Sequence, residues 1–424
     1  MDASFSVFAG VDWAERSHAV CALVPSKSRV GAFDAIHKPF ENTPEGISLV
    51  ADWLAGLGRK HGPVAVAIEV PHGPIAEGLL LRGLPIFSIN PKLLDRHRDR
   101  YSVAGAKDDR RDAMVLADSL RIDRQSFREV IIPSATAIQL RAVYRHRSDR
   151  VDCRIRLTNQ LRSELLACAP HYLRLSNGAN ERWFLELLRR LSAPGNSTLA
   201  NSAVAALLKE YRISKVSAAE VLAIINAEPL LLAPGTFAGC AFVISSLLGA
   251  LASVNEQLAN CDWQCKVLLD ALRLTEDGGL SDVEIIDSYP GAGPVVLAGL
   301  FAEAQPLITI RDYQALRAHS GVAPVTRQTG KQGKHAGSKV PVFWRLSVNP
   351  QLREVVFYLA DAAYKVDPWA KAYYREQRGR GKSHGCALRC LGDRILHQLM
   401  AMLTTRTLYD PSKRKSPVPA AAAA

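Results

Sequence analysis

Four carboxylates carry the clearest chemistry in this 424-residue sequence: Asp12, Glu69, Asp109 and Asp112. Asp12 closes the strand-like run VFAGVD and Glu69 stands at the end of VAVAIEV, so two strands lying side by side would bring these side chains together. Asp109 and Asp112 are three apart at the start of a helical pattern, which puts both on one helix face. Hard oxygen donors gathered in this way suit Mg²⁺ or Mn²⁺, ions that keep several waters and bridge to phosphate oxygens. Two such ions about 3.5–4 Å apart activate an attacking oxygen and stabilise a leaving one, which is phosphodiester chemistry. Taken singly, each acid has a plainer role: Asp12 opening a turn, Glu69 capping a strand, DDRRD a solvated helix start. Their joint placement favours the metal site. His18, His72 and Lys107 lie near the set, where packing or solvated roles compete with contacts to water, substrate or phosphate.

The elements that would position these acids alternate in type. SVFAGVD, HAVCALV and VGAFDAI read as three strands, DWLAGLGRK as helix, PVAVAIEV as strand, PIAEGLLLRG as helix and PIFSIN as a short strand. RRDAMVLADSLRID follows as an amphipathic helix, and the whole gives an α/β layer with a mixed sheet. From about 135 to 272 the pattern is helical. Two long stretches, TAIQLRAVYRHRSDRVDCRIRLTNQLRSELLA and FAGCAFVISSLLGALASVNEQLANCDWQCKVLLDAL, are expected to pair antiparallel as an arm for dimer contacts or for holding nucleic acid. The third region carries SYPGAGPVVLAGLFAEA, a basic Gly-rich segment and two further helices, before the Pro-, Lys- and Ala-rich tail PSKRKSPVPAAAA, which is expected to be disordered.

Forty-eight per cent apolar residues are ample for two or three folded domains, and a net charge of +12 suits a polyanion whose counterions are released on binding. The eight cysteines lack the paired CxxC or His spacing of a structural zinc site. The N-terminus has no basic region leading into an unbroken apolar stretch, and no apolar run is expected to reach about 18 residues; a cytoplasmic location, with no membrane span, is the expectation.

In GVDWAERSH, AIEVPHGP and AKDDRRDAMVLAD, and again in SYPGAGPVVLAGLFAE, HSGVAPVTRQTGKQGK and NPQLREVVFYLA, the sequence resembles the DEDD transposases. These are insertion-sequence recombinases related to the Piv-type DNA invertases, several of them guided by a structured bridge RNA. The resemblance implies a RuvC-like domain of the ribonuclease H fold over 1–130, a coiled-coil arm over 131–275 and a mostly helical C-terminal transposase domain over 276–408, with 409–424 as tail. It implies that Asp12, Glu69, Asp109 and Asp112 bind Mg²⁺ or Mn²⁺, and that DNA, a noncoding guide RNA and further copies of the chain are the partners.

It also implies a nucleophilic serine in the last domain that joins protein to DNA, acting with the acids of another protomer. The family's Ser-Gly-Lys step matches Thr329, Gly330 and Lys331, so threonine stands where serine is usual. Thr329, Ser338 or Ser320 could serve as nucleophile, or strand transfer could be impaired; Thr329 is preferred, needing a nearby base or metal for activation.

The Pro-Gly-x-Gly-Pro turn of SYPGAGP occurs in helix-hairpin-helix modules, where helix-start N–H groups meet phosphates, although a tight turn between packed helices reads the same. Arg327, Lys331, Lys334 and Lys339 lie among glycines, as backbone-contacting cations do, and Arg378, Arg380 and Lys382 repeat the mix. Trp369, Tyr373 and Tyr374 could stack on bases, or belong to the core. Arg141, Arg145, Arg147, Arg150, Arg154 and Arg156 on the first arm helix could track RNA or pair with acids. A junction-resolving nuclease and a non-catalytic nucleic-acid scaffold remain the alternatives.

Overall fold

The alternating N-terminal runs form six strands: β1 (Val7–Asp12), β2 (Ser17–Pro25), β3 (Phe33–Glu41), β4 (Val64–Ile68), β5 (Ile86–Ser88) and β6 (Arg128–Glu129). They make one mixed sheet in the order β3-β2-β1-β4-β5-β6, with β1, β4 and β5 parallel and β2 antiparallel to both neighbours. In this computed structural model the described residues are 5–69, 71, 73–89, 91–100, 108–176, 178–191, 199–228, 230–275, 278–326, 342–343 and 345–413. They fall in two units, Met1–Pro133 and Ser134–Ala424.

β4 is buried at every position, as a central parallel strand with both faces covered requires. Helices α1 (Pro44–His61) and α2 (Pro74–Leu80) cover one face, where Val7, Ala9 and Val11 meet Val50, Leu54, Ile75 and Leu79. α1 starts where the Thr43 hydroxyl accepts the Gly46 N–H and Pro44 sets the first turn; Arg59, Lys60 and His61 complement the dipole at its other end. Two further helices, α3 (Pro91–Asp99) and α4 (Asp109–Ile122), belong to the opposite face, where Ala65 and Ala67 meet Leu94, Leu116 and Leu120. The alternation did not reveal α3, because PKLLDRHRD has only Leu93 and Leu94 as an apolar stripe.

The second unit is helical, beginning with α5 (Ala135–Cys168), α6 (Arg182–Arg190), α7 (Asn201–Glu210), α8 (Ala218–Ile225) and α9 (Thr236–Leu272). α5 and α9 run antiparallel: Leu140 and Tyr144 share a core with Cys265 and Leu269, while Leu161 and Leu165 share another with Ile244 and Leu248. The second core is closed by Trp183, Leu207 and Val221 from α6–α8. The first continues into α10 (Asp282–Asp287), α11 (Pro294–Thr309), α12 (Tyr313–His319), α13 (Pro350–Val366), α14 (Pro368–Gly379) and α15 (His384–Thr405), so the arm and the C-terminal helices are packed as one body.

One expectation fails in α9. Residues 236–255 carry no charge, and the helix is long and apolar enough to cross a membrane by length and composition alone. The stretch escapes notice as an apolar run because Gly, Ala and Ser interrupt its large side chains. One stripe of it, Cys240, Ile244, Leu248 and Leu251, is buried in the arm. The eight cysteines are all free thiols.

Candidate active site

Strand register sets the first half of the site. Val11 lies opposite Ile68 in the parallel pair, so Asp12 and Glu69 follow side by side at the C-terminal ends of β1 and β4. Side chains alternate along a strand. With Val7, Ala9 and Val11 on the α1 face, Gly10 and Asp12 turn to the α4 face, and Ala65, Ala67 and Glu69 do likewise.

α4 brings the second half. Its first residue follows Asp108, whose side chain caps the helix by accepting the Arg110 N–H, and the acids Asp109 and Asp112 sit in the first turn, where the dipole favours negative charge. Asp112 is buried and Asp109 exposed. The helix lies on β1 without a gap, because a Cβ at Gly10 would stand 2.0 Å from the Ala113 carbonyl oxygen and 2.7 Å from the Ala117 nitrogen. Gly10 thus sets how closely the Asp112 turn approaches Asp12.

The electrostatics record that approach. Burial, then Asp112, Asp109 and Glu69, push the Asp12 carboxyl up to about 6, against a smaller opposing effect of Arg98. Arg98, in the last turn of α3, donates through Nε and Nη2 to the two oxygens of Asp112, at 2.9 and 3.0 Å. Its guanidinium also lies 3.7 Å from Glu69 and donates to Asp95 at 2.6 Å. As placed, no three acid, imidazole or thiol groups among the described residues stand close enough to ligate one ion. The donor set nevertheless fits a hard divalent cation: all the donors are oxygen, their charges repel, and a cation already sits among them.

Arg98 and Gly10 were both missed from sequence. The signal for Arg98 was a Pro-started helix with a basic last turn just before the acidic pair; the signal for Gly10 was a small residue two positions before Asp12. His18 does not join the acids. It is fully buried on β2, on the face of Val20, Ala22 and Val24, and burial lowers its pKa.

His72, Lys107, Arg327, Thr329, Lys331, Lys334, Ser338 and Lys339 lie outside the described residues. The antiparallel strands β7 (Val325–Thr326) and β8 (Val342–Phe343) flank 327–341. Ser320 is fully buried, with its hydroxyl donating to the Arg317 carbonyl. Several expected phosphate contacts are engaged within the chain. Arg378 donates to the Lys382 carbonyl at 2.7 Å, Arg380 pairs with Glu376, and the Lys382 ammonium donates to Gln377 and reaches the Cys390 sulfur at 3.2 Å. Trp369 stacks on Tyr373 and Tyr364 on Tyr374, all four packed against the C-terminal core. In the Pro-Gly-x-Gly-Pro turn, Gly291 has φ +93° and a Cβ there would stand 2.7 Å from the Ala363 nitrogen, so this turn packs on α13. On α5, Arg141 donates to the Ala302 carbonyl, Arg145 to both oxygens of Glu303, and Arg147 to Asp262.

A DEDD transposase model of the IS110 type matches residues 9–170, which hold all four acids, and a model described as transposase IS116/IS110/IS902 family matches residues 283–375. A mini-circle putative transposase for IS117 from Streptomyces coelicolor is 31% identical over 99% of both chains. The chain belongs to the IS116/IS110/IS902 transposase family. A putative transposase from Sinorhizobium fredii, y4uE, is 39% identical over 50% of this chain, and the match spans 58% of that relative's length. An uncharacterised 43.6 kDa protein of insertion element IS110 from Streptomyces coelicolor is 26% identical over 95% of both chains. The two matched segments cover the acid-bearing sheet together with α5, and the stretch from α10 into α14.

Proposed function

We propose that this family member is a DNA recombinase that mobilises an insertion sequence, with Asp12, Glu69, Asp109 and Asp112 holding Mg²⁺ or Mn²⁺. The observation that carries the reading is the convergence of two strand ends and one helix start on a single sheet face, where burial first, and then the charges of Asp112, Asp109 and Glu69, push Asp12 up to about 6. The strand order and the single reversed strand among β1, β2, β4 and β5 support a RuvC-like, ribonuclease H-type assignment for 1–130. The antiparallel α5–α9 pair supports the coiled-coil arm over 131–275, with 276–408 as the transposase domain.

A divalent ion at the acids would polarise a phosphate oxygen and offset charge on the reacting phosphoryl group. The chain's own residues do the rest. The register of β1 and β4 orients two carboxylates, and α4 presents two more. Thr329 is the proposed nucleophile: its Oγ1 forms a bond to phosphorus, one DNA P–O bond breaks, and the released DNA hydroxyl takes up the threonine proton. Lys107, Arg327, Lys331, Lys334, Lys339, Arg378, Arg380 and Lys382 contact phosphates; the last three must first exchange their intramolecular partners. A structured noncoding RNA guides the choice of DNA, read by shape and backbone, and two or four copies of the chain act together in the cytoplasm.

A denaturing gel after incubation with Mg²⁺ and cognate insertion-sequence ends tests this. Recombination leaves a protein–DNA adduct that Thr329→Val abolishes. Cleavage without an adduct identifies a junction-resolving nuclease instead, and no cleavage with an unaffected Asp12→Asn variant identifies a binding scaffold.

A further inference from the structure

Among the described residues, Arg98 is a cation that contacts two acids of the cluster, and its contacts are arranged for exchange. Its Nε and Nη2 occupy both oxygens of Asp112, a fork-on-fork geometry that makes strong charge-assisted hydrogen bonds. The same guanidinium lies 3.7 Å from Glu69, so it spans acids supplied by two different elements. A divalent ion on these oxygens would place a second positive charge within a few ångströms of the first, in a half-buried setting where repulsion is poorly screened.

Two features give Arg98 somewhere to go. Its side chain is 28% exposed, whereas that of Asp112 is 5% exposed, so the guanidinium is on the solvent side of the pair. Its Nη1 already donates at 2.6 Å to Asp95, one turn earlier on α3 and 65% exposed. On leaving the cluster, Arg98 keeps a carboxylate partner and gains water, while the buried Asp112 exchanges one cation for another.

We propose that Arg98 is a resident counter-cation that occupies the acidic cluster when no metal is bound and that a divalent ion displaces toward Asp95. This rests on the metal reading above. It makes Arg98 a positioning residue that keeps mutually repelling carboxylates together while the site is empty. It also makes metal loading a competition, so the resident charge sets the affinity.

The test is Mn²⁺ binding to the full-length protein, followed by electron paramagnetic resonance of free Mn²⁺, with Arg98→Gln and Arg98→Lys beside the wild type. Displacement predicts that Arg98→Gln binds Mn²⁺ at least about tenfold tighter and that Arg98→Lys, which keeps a charge, stays close to wild type. Equal or weaker binding by Arg98→Gln overturns the proposal while leaving the metal site standing. No Mn²⁺ bound by any of the three overturns the metal site itself, and displacement with it. Should Arg98→Gln fail to fold, the wild type decides alone. The Arg98 Nε–H resonance should move toward that of a solvent-exposed guanidinium on adding Mg²⁺, and an unmoved resonance at saturating Mg²⁺ contradicts the exchange.

Discussion

The acid-bearing sheet and the C-terminal helical body handle charge in opposite ways. At the sheet, like charges are brought together: burial and the charges of Asp112, Asp109 and Glu69 raise the energy of ionised Asp12, and Arg98 partly compensates. In the helical body, each acid meets opposite charge: Arg145 grips Glu303, Arg311 and Arg406 both grip Asp282, and Arg317 grips Asp393. Frustrated charge stores a demand for a cation, whereas matched charge holds helices in place. The difference supports the proposal that the sheet face takes a cation.

The largest effect should come from breaking a matched pair. The Glu303 side chain is 1% exposed, and although burial alone would raise its pKa, hydrogen bonds from Arg145 and Asn349 and the charge of Arg141 hold it below the usual value. Arg145→Ala leaves that carboxylate buried with half its partners and should cost about 3–5 kcal/mol, measured by urea unfolding. Because the folded-state pKa is depressed, the stabilisation is present above the unfolded value and is lost as pH falls below about 4.5. A loss under about 1 kcal/mol would mean the pair is not the support the comparison makes it.

Next is the seat of α4. Gly10→Ala puts a Cβ against the Ala113 carbonyl, and the helix must shift, at about 2–3 kcal/mol in thermal or urea unfolding. The same variant should weaken Mn²⁺ binding, because Asp112 moves with its helix.

Asp12→Asn has the opposite sign. Its folded-state pKa of about 6 lies above the ordinary 3.8, so ionised Asp12 opposes folding above about pH 6 and protonation relieves this as pH falls toward 4. The metal-free variant should therefore be more stable than wild type at pH 7.5, by about 1–2 kcal/mol after allowing for solvent screening, and should lose the slope between pH 4 and 6. A destabilised Asp12→Asn would sharply weaken the contrast between frustrated and matched charge.

The smallest effect belongs to the exposed Arg380–Glu376 pair. Arg380→Ala should change stability by less than about 0.5 kcal/mol, while lowering the salt slope of nucleic-acid binding by about one unit if the residue meets a phosphate.

What could be read from sequence follows from range. The acids were legible because strand alternation and helical spacing are local patterns: VFAGVD and VAVAIEV each announce a buried strand with an acid at its end. The register of Val11 against Ile68, which makes Asp12 and Glu69 neighbours, is a long-range fact that no local pattern fixes. Arg98 was invisible because a basic last turn is common on solvated helices; only its distance to Asp112 gives it meaning. The Arg-rich face of α5 was legible as charged, yet its partners Ala302, Glu303 and Asp262 lie far along the chain, so the choice between polyanion and acid partners stayed open. Uncharged residues 236–255 misled in the other direction, since small residues diluted an apolar stretch that is long in three dimensions.

Isothermal titration of Mn²⁺ into the metal-free protein at pH 7.5, with Asp12→Asn and Glu69→Gln as comparisons, tests the central claim most directly. The account predicts saturable binding in the wild type, at least about tenfold weaker in either variant although Asp12→Asn is the more stable fold. Absent binding, or binding indifferent to both substitutions, would contradict it.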